Sequence, residues 1–196
     1  MCNDYGIDIP FRLFVEAFSE LRIPLDLSRG IPNLQPRDEI WPTERAPIVR
    51  WDGAAASIDN IRWGLKPHAP KRPPVINMRG EGRAFSRGRC LIPASHYFEF
   101  SGAKSPKTRW RFNKSGEDWF CIAGVLGDGD DGGRPVDAFT MLTVPPGPDV
   151  APIHDRQVCV LERRDWRGWL DGALEAREVL TPSPAGTFVV AKSTRA

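Results

Sequence analysis

Apolar residues fall at helical spacing near the start of the chain, at Phe11, Phe14, Val15, Phe18 and Leu21. That spacing predicts an amphipathic helix, with Pro24 as its stop. Afterwards the period shortens. Ten β-like runs follow: APIVRW, SIDNIRWGL, PPVINM, RCLIPA, HYFEF, TRWRF, WFCIAGVL, DAFTMLTV, QVCVL and TFVVAK. Pro, Gly, Asp and Ser turn signals separate them. Arg163–Leu170 predicts a short helix, with Trp166 and Trp169 three apart. The 19 prolines and 18 glycines are spread along the chain rather than gathered in a linker, and no internal repeat is visible. The pattern predicts an α+β fold in a single domain over residues 1–196: mostly antiparallel strands curled into a barrel-like core, with a few peripheral helices.

Composition narrows the setting. A hydrophobic content of 41% and a charged content of 27% over 196 residues describe a soluble, globular chain with a sizeable core. No apolar run reaches the length of a membrane span, and no basic-then-apolar signal opens the chain. Cys2, Cys90, Cys121 and Cys159 lie far apart without a C-x-x-C pair to suggest zinc or thioredoxin chemistry, and a reduced cytoplasm is the simplest location. A monomer is the default expectation.

Net charge is a mild +2, but its distribution is uneven. Arg62 to Cys90 holds eight basic residues against Glu81, and Ser101 to Ser115 holds five more with no acid. Folded onto one face, these stretches could track a phosphate backbone; a solvated surface is the ordinary alternative. PHAPKRPP (Pro67–Pro74) reads as a basic, mobile lip beside a groove. GDGDDGGRP (Gly127–Pro135) reads as a hairpin tip rather than a calcium loop, because Gly132 and Phe139 occupy positions that would need oxygen ligands.

Four residues are candidates for catalysis (Cys2, Asn77, Glu99 and His154), and others for binding. Cys2 stands directly behind the initiator methionine. If Met1 is removed, Cys2 carries a free α-amine beside its thiol. Such an aminothiol can capture an aldehyde, first as a Schiff base and then as a thiazolidine. An α-amine titrates near ~7.7–8.0, so roughly a tenth is neutral at pH 7, far more than for a lysine. The thiol could instead be a protease nucleophile, or an unremarkable second residue. His154, in APIHDRQVCVL, could act as acid or base near neutrality, or be a structural histidine; His68 and His96 could each be surface or structural. Glu99, in PASHYFEF, shares a strand face with Tyr97, and a carboxyl at the end of an apolar strand could have a raised pKa and shuttle protons. Asn77 and Arg79, in VINMRGEG, share another strand face, suited to orienting a nucleophile and holding phosphate; two polar side chains on a solvent face are the ordinary alternative. Trp63 could stack on a base or belong to the core. No Walker motif, G-x-G-x-x-G fingerprint, H-E-x-x-H helix or zinc spacing occurs, so no cofactor and no metal are expected.

Their order along the chain adds what each lacks singly. MC at the start, WPT with PIVRW, IRWGLKP, NMRGE, RCLIPASHYFEF and APIHDRQVCVL together resemble the SRAP (SOS response-associated peptidase) family from Cys2 to about Leu170. The resemblance implies a cytoplasmic sensor of abasic sites in single-stranded DNA, nucleoid-associated when bound, whose N-terminal cysteine crosslinks to the ring-opened sugar through a thiazolidine. It makes Cys2 the nucleophile, with Asn77 positioning it or the sugar. Glu99 would be the proton shuttle, and His154 would help open the sugar ring and assist reversal. Arg79, Trp63 and Arg156 would contact DNA. The family name records a proposed peptidase activity, which the same residues would carry; a non-catalytic single-stranded DNA binding module is the third reading. The chain departs from the family's usual Cys-Gly-Arg start with Asn3 and Asp4, and Asp4 reverses a charge where a phosphate contact is expected. That bears on DNA affinity more than on the aldehyde chemistry. His96 stands where a small residue is common, Phe100 where tryptophan is usual, and Val158 where proline is usual.

Overall fold

Runs that are apolar on both faces belong to strands covered on both sides, and RCLIPA is the clearest case. In a computed structural model describing residues 2–28, 30, 34–69, 71–103 and 106–194, five of its six residues are buried. The elements in chain order begin with β1 (Tyr5–Ile7), α1 (Phe11–Glu20), β2 (Arg37–Ile40), β3 (Arg45–Trp51) and β4 (Ala56–Trp63). Next come β5 (Asn77–Arg79), β6 (Arg89–Ala94), β7 (His96–Ser101), β8 (Thr108–Lys114), β9 (Phe120–Asp131) and β10 (Arg134–Val144). The chain continues with β11 (Gln157–Val158), β12 (Val160–Leu161), α2 (Trp166–Asp171), α3 (Ala176–Val179) and β13 (Phe188–Ser193).

Strands β10, β4, β3, β6 and β9 pair in that order, and β9 pairs back onto β10, so the sheet closes into a five-stranded barrel. All its pairings are antiparallel except β10 with β4. The β9–β10 hairpin turns at Gly132 and Gly133, both at positive φ, so the predicted hairpin tip is observed. Past Gly124 and Met141 the two strands splay, and Cys159 bridges the gap. Its N–H donates to Leu142 O at 2.8 Å, and its O accepts from Ala123 N at 2.8 Å. QVCVL therefore splits into β11 on β10 and β12 on β9.

A second sheet, ordered β13-β8-β7-β1-β2, grows from the barrel at Ser95, where β6 ends and β7 begins. Ser95 holds the junction: its N–H donates to Gly6 O at 2.9 Å and its Oγ accepts from Asp8 N at 2.9 Å. Strand β1 is thus interior to this sheet, paired with β2 on one edge and β7 on the other.

The amphipathic helix forms as its spacing predicts, and Phe14 and Phe18 stack toward Trp119 and Trp166. It stops at Glu20, before Pro24 is reached. Arg22 takes a left-handed φ of 54°, and Ile23 N donates to Phe18 O at 2.9 Å while Arg22 N donates to Ser19 O at 2.9 Å. This pair of bonds is a Schellman ending, with arginine where glycine is usual. Helix α2 covers the outer side of β6, where Trp169 Nε1 donates to Cys90 O at 3.0 Å.

His96 lies over Gly6, its register partner. A Cβ on Gly6 would collide with the imidazole ring and reach 2.5 Å from Asp38 O. Gly6→Ala is expected to cost about 1–3 kcal/mol, read as a lowered denaturant midpoint. Adding His96→Ala should recover part of that loss.

Candidate active site around Cys2

An N-terminal segment usually frays, yet Cys2 is fully buried. Two bonds hold it. Asn77, at the start of β5, donates from Nδ2 to Cys2 O at 2.6 Å, and the Cys2 thiol donates to Asp4 O at 3.3 Å. Asn77 is brought there by the parallel pairing of β5 on β10, with Asn77 opposite Met141. Its Oδ1, and that of Asn3, are buried without a hydrogen-bond partner among the described residues.

Glu99 enters from β7, nearly enclosed at 1% exposure. Strand alternation puts Tyr97 and Glu99 on one face. Tyr97 stacks on Phe112, with Phe120 and Phe188 edge-on, so the carboxyl sits at the end of an aromatic wall. Burial lifts its pKa from 4.5 to about 7. Burial also pushes the Cys2 thiol well above its ordinary value, and the neighbouring Glu99 carboxylate pushes in the same direction.

His154 completes the group from the loop before β11. Its Nε2 lies 3.9 Å from Glu99 Oε2, and its Nδ1 accepts from Arg156 N at 3.0 Å. Asp155 Oδ1 is 2.9 Å from the same nitrogen, a contact that gains an ion-pair character only with an imidazolium. Burial lowers the His154 pKa, which favours the neutral ring and the bond from Arg156. The four residues singled out for catalysis therefore lie together, with Cys2 and Glu99 buried and His154 half-buried.

The three DNA-contact expectations fare differently. Arg79 ends β5 with an exposed side chain. Arg156 is committed internally: it forks onto Glu81 and donates to Thr143 O at 2.7 Å. The arginine holds the Glu81 carboxyl down at about 2. Trp63 corrects the stacking expectation. It is fully buried, edge-on to Tyr5 at 5.2 Å, and its Nε1 donates to Ile76 O at 2.9 Å. An indole satisfied in that way presents no face to a base.

Asp4 also departs from expectation. It is buried and paired with Arg109, so its charge is not displayed on the surface. Arg109 and Lys114 of the basic stretches are likewise buried with acidic partners, and Arg89 covers Trp169. Lys66, Lys71, Arg72, Arg79, Arg83, Arg87 and Lys107 remain exposed, while Lys104 lies outside the described residues. The PHAPKRPP segment lines a cavity of about 500 Å³ with Lys66, His68, Lys71 and Arg72; Pro70 is outside the described residues. Sequence reasoning missed Glu81 and Thr143 as the anchors of Arg156, and nothing local to either residue signals that role.

The SOS response associated peptidase (SRAP) family model matches residues 1–194 of the chain. The chain belongs to the SRAP family. Among curated SRAP relatives, abasic site processing protein YoaM of Bacillus subtilis is 27% identical over 171 residues, covering 79% of this chain and 75% of that protein. Abasic site processing protein YedK of Escherichia coli is 23% identical over 172 residues, covering 82% and 78%. A crystal structure of a protein from Bacteroides thetaiotaomicron shares the fold with a TM-score of 0.74 at 17% identity, covering 97% of this chain and 91% of that one.

The raised Glu99 pKa has a consequence for stability that is independent of catalysis. Between pH 4.5 and about 7 the folded SRAP domain keeps a proton that the unfolded chain has released. Stability therefore falls as pH rises through that window, by about 3 kcal/mol in all. Glu99→Gln should raise the melting temperature at pH 8 and leave it nearly unchanged at pH 4. Equal shifts at both pH values would contradict a buried, proton-retaining carboxyl.

Proposed function

We propose that this SRAP protein captures abasic sites in single-stranded DNA through a thiazolidine at Cys2, once Met1 has been removed. The observation that carries this reading is the meeting of a second-position cysteine with Asn77, Glu99 and His154. The curated relatives named as abasic site processing proteins support the same substrate.

The steps balance without a cofactor. The neutral α-amine of Cys2 adds to the aldehyde carbon of the ring-opened sugar. The carbinolamine hydroxyl then leaves as water, taking one proton, to give the imine. The thiol sulfur adds to the imine carbon, its proton passes to the nitrogen, and a five-membered ring closes. One water is lost in all. Glu99, titrating at about 7, can give a proton to the departing hydroxyl and take one from the thiol. His154 near the opening can serve the sugar hydroxyl as the ring opens. The amide of Asn77 fixes the Cys2 carbonyl, and its free Oδ1 is an acceptor for the new amine. The strand would run over exposed Arg79, Arg83, Arg87 and Lys107.

Mature protein incubated with abasic single-stranded DNA should give a heat-stable adduct whose intact mass equals the sum of the two components minus one water. Cys2→Ser should give only an imine, visible after borohydride reduction and lost on heating without it. A heat-stable adduct formed by Cys2→Ser at the wild-type rate would refute the ring.

A further inference from the structure

Asp4 is fully buried two residues from the reactive thiol, and what holds it has no part in the chemistry above. Its carboxylate meets the Arg109 guanidinium, which itself is 7% exposed. The same guanidinium nitrogen meets Glu39 from β2, and the guanidinium carbon lies 3.4 Å from the centre of the Phe98 ring. Phe98 also grips the backbone of Asp4, donating its N–H to Asp4 O at 2.9 Å. That carbonyl is the acceptor for the Cys2 thiol. Residue 4 is thus held by its side chain from β8 and by its main chain from β7, and the oxygen so fixed touches the sulfur.

We propose that Asp4 and Arg109 are positioning residues that clamp the N-terminal segment so that the Cys2 thiol stays at its place beside Glu99. The inference rests on the crosslinking role given to Cys2 above, and concerns how this chain holds that residue. A buried ion pair carries a large desolvation cost and is a weak source of stability, whereas a planar guanidinium laid on Phe98, with one nitrogen shared between Asp4 and Glu39, fixes geometry. Asn77 anchors Cys2 from one side through its carbonyl; the clamp anchors the chain two residues on. The two together leave the thiol little freedom, which is what ring closure onto an imine needs. Asp4 then contributes placement of the nucleophile rather than contact with DNA.

The test compares wild type with Asp4→Asn and Arg109→Lys in two measurements. The first is adduct formation with abasic single-stranded DNA at saturating strand, beside affinity for the intact strand. The second is iodoacetamide labelling without DNA, with each cysteine followed by peptide mass. All four thiols are buried in the wild type. For Asp4→Asn the adduct rate should fall by about 10- to 100-fold with unchanged affinity for the intact strand. Labelling of Cys2 should rise while Cys90, Cys121 and Cys159 stay protected. Arg109→Lys keeps a cation on Asp4 and loses the planar group over Phe98, so the same Cys2-only signature should appear at smaller amplitude; it serves where Asp4→Asn does not fold. Three results would overturn the clamp: wild-type adduct rate with Cys2 still protected, all four thiols labelled together, or lost affinity with the saturated rate intact. Absence of any adduct from the wild type would instead remove the crosslinking role, and the labelling pattern would then decide the clamp by itself.

Discussion

The hydrogen bonding of β1 along both of its edges is the constraint on which the rest of the site depends. Three residues, Tyr5–Ile7, lie between β7 and β2, so the segment that would ordinarily fray is built into a sheet interior. Tyr5 is fully buried against Trp63, and Trp63 in turn stacks toward Phe139 in the barrel. The tryptophan that joins the small sheet to the barrel therefore keeps the N-terminus in place from below. Its burial carries a structural load that a base-stacking role would forfeit, since an indole cannot be both floor and exposed platform.

The barrel was largely legible in the pattern of residues, because its strands are long and their apolar runs are bounded by turn residues. Each of the ten β-like runs overlaps a strand. Strands β1 and β2 were not foreseen. YGI is too short to show a period, and RDEI is polar on three of four positions, so neither resembles a strand until it has neighbours. Tyr5 pairs with Tyr97, more than ninety positions on, and such pairing leaves no local mark. The helix shows the same limit at smaller scale: Pro24 is a visible stop, but the ending lies earlier, in a Schellman turn at Arg22 that no glycine announces.

Charge was the least legible quantity. Counting basic residues along 62–90 and 101–115 treats them as equivalent, yet burial divides them. Arg109 pairs with Asp4 across 105 positions and Lys114 with Glu162 across 48. Acid and base that meet in the fold are separated in the chain, so a local excess overstates the positive surface. The catalytic candidates escaped this difficulty because each was recognised by type and context together: a second-position cysteine, a carboxyl ending an apolar strand, an asparagine on a short strand, and a histidine before one.

Burial of the thiol also bears on which chemistry Cys2 suits. A cysteine peptidase needs a thiolate, drawn out by an adjacent imidazolium or a helix N-terminus. At this site burial and the Glu99 carboxylate both push the thiol the other way, and burial also lowers His154, away from the imidazolium form. Such a sulfur is a poor first nucleophile. It is suited to a second step, in which a neighbouring amine has already made an electrophile within reach and the thiol need only lose its proton as it adds. A carboxyl titrating at about 7 is the group that would receive that proton in the proposed route. The features that disfavour a free thiolate therefore fit the proposed amine-first route, in which the sulfur closes the ring.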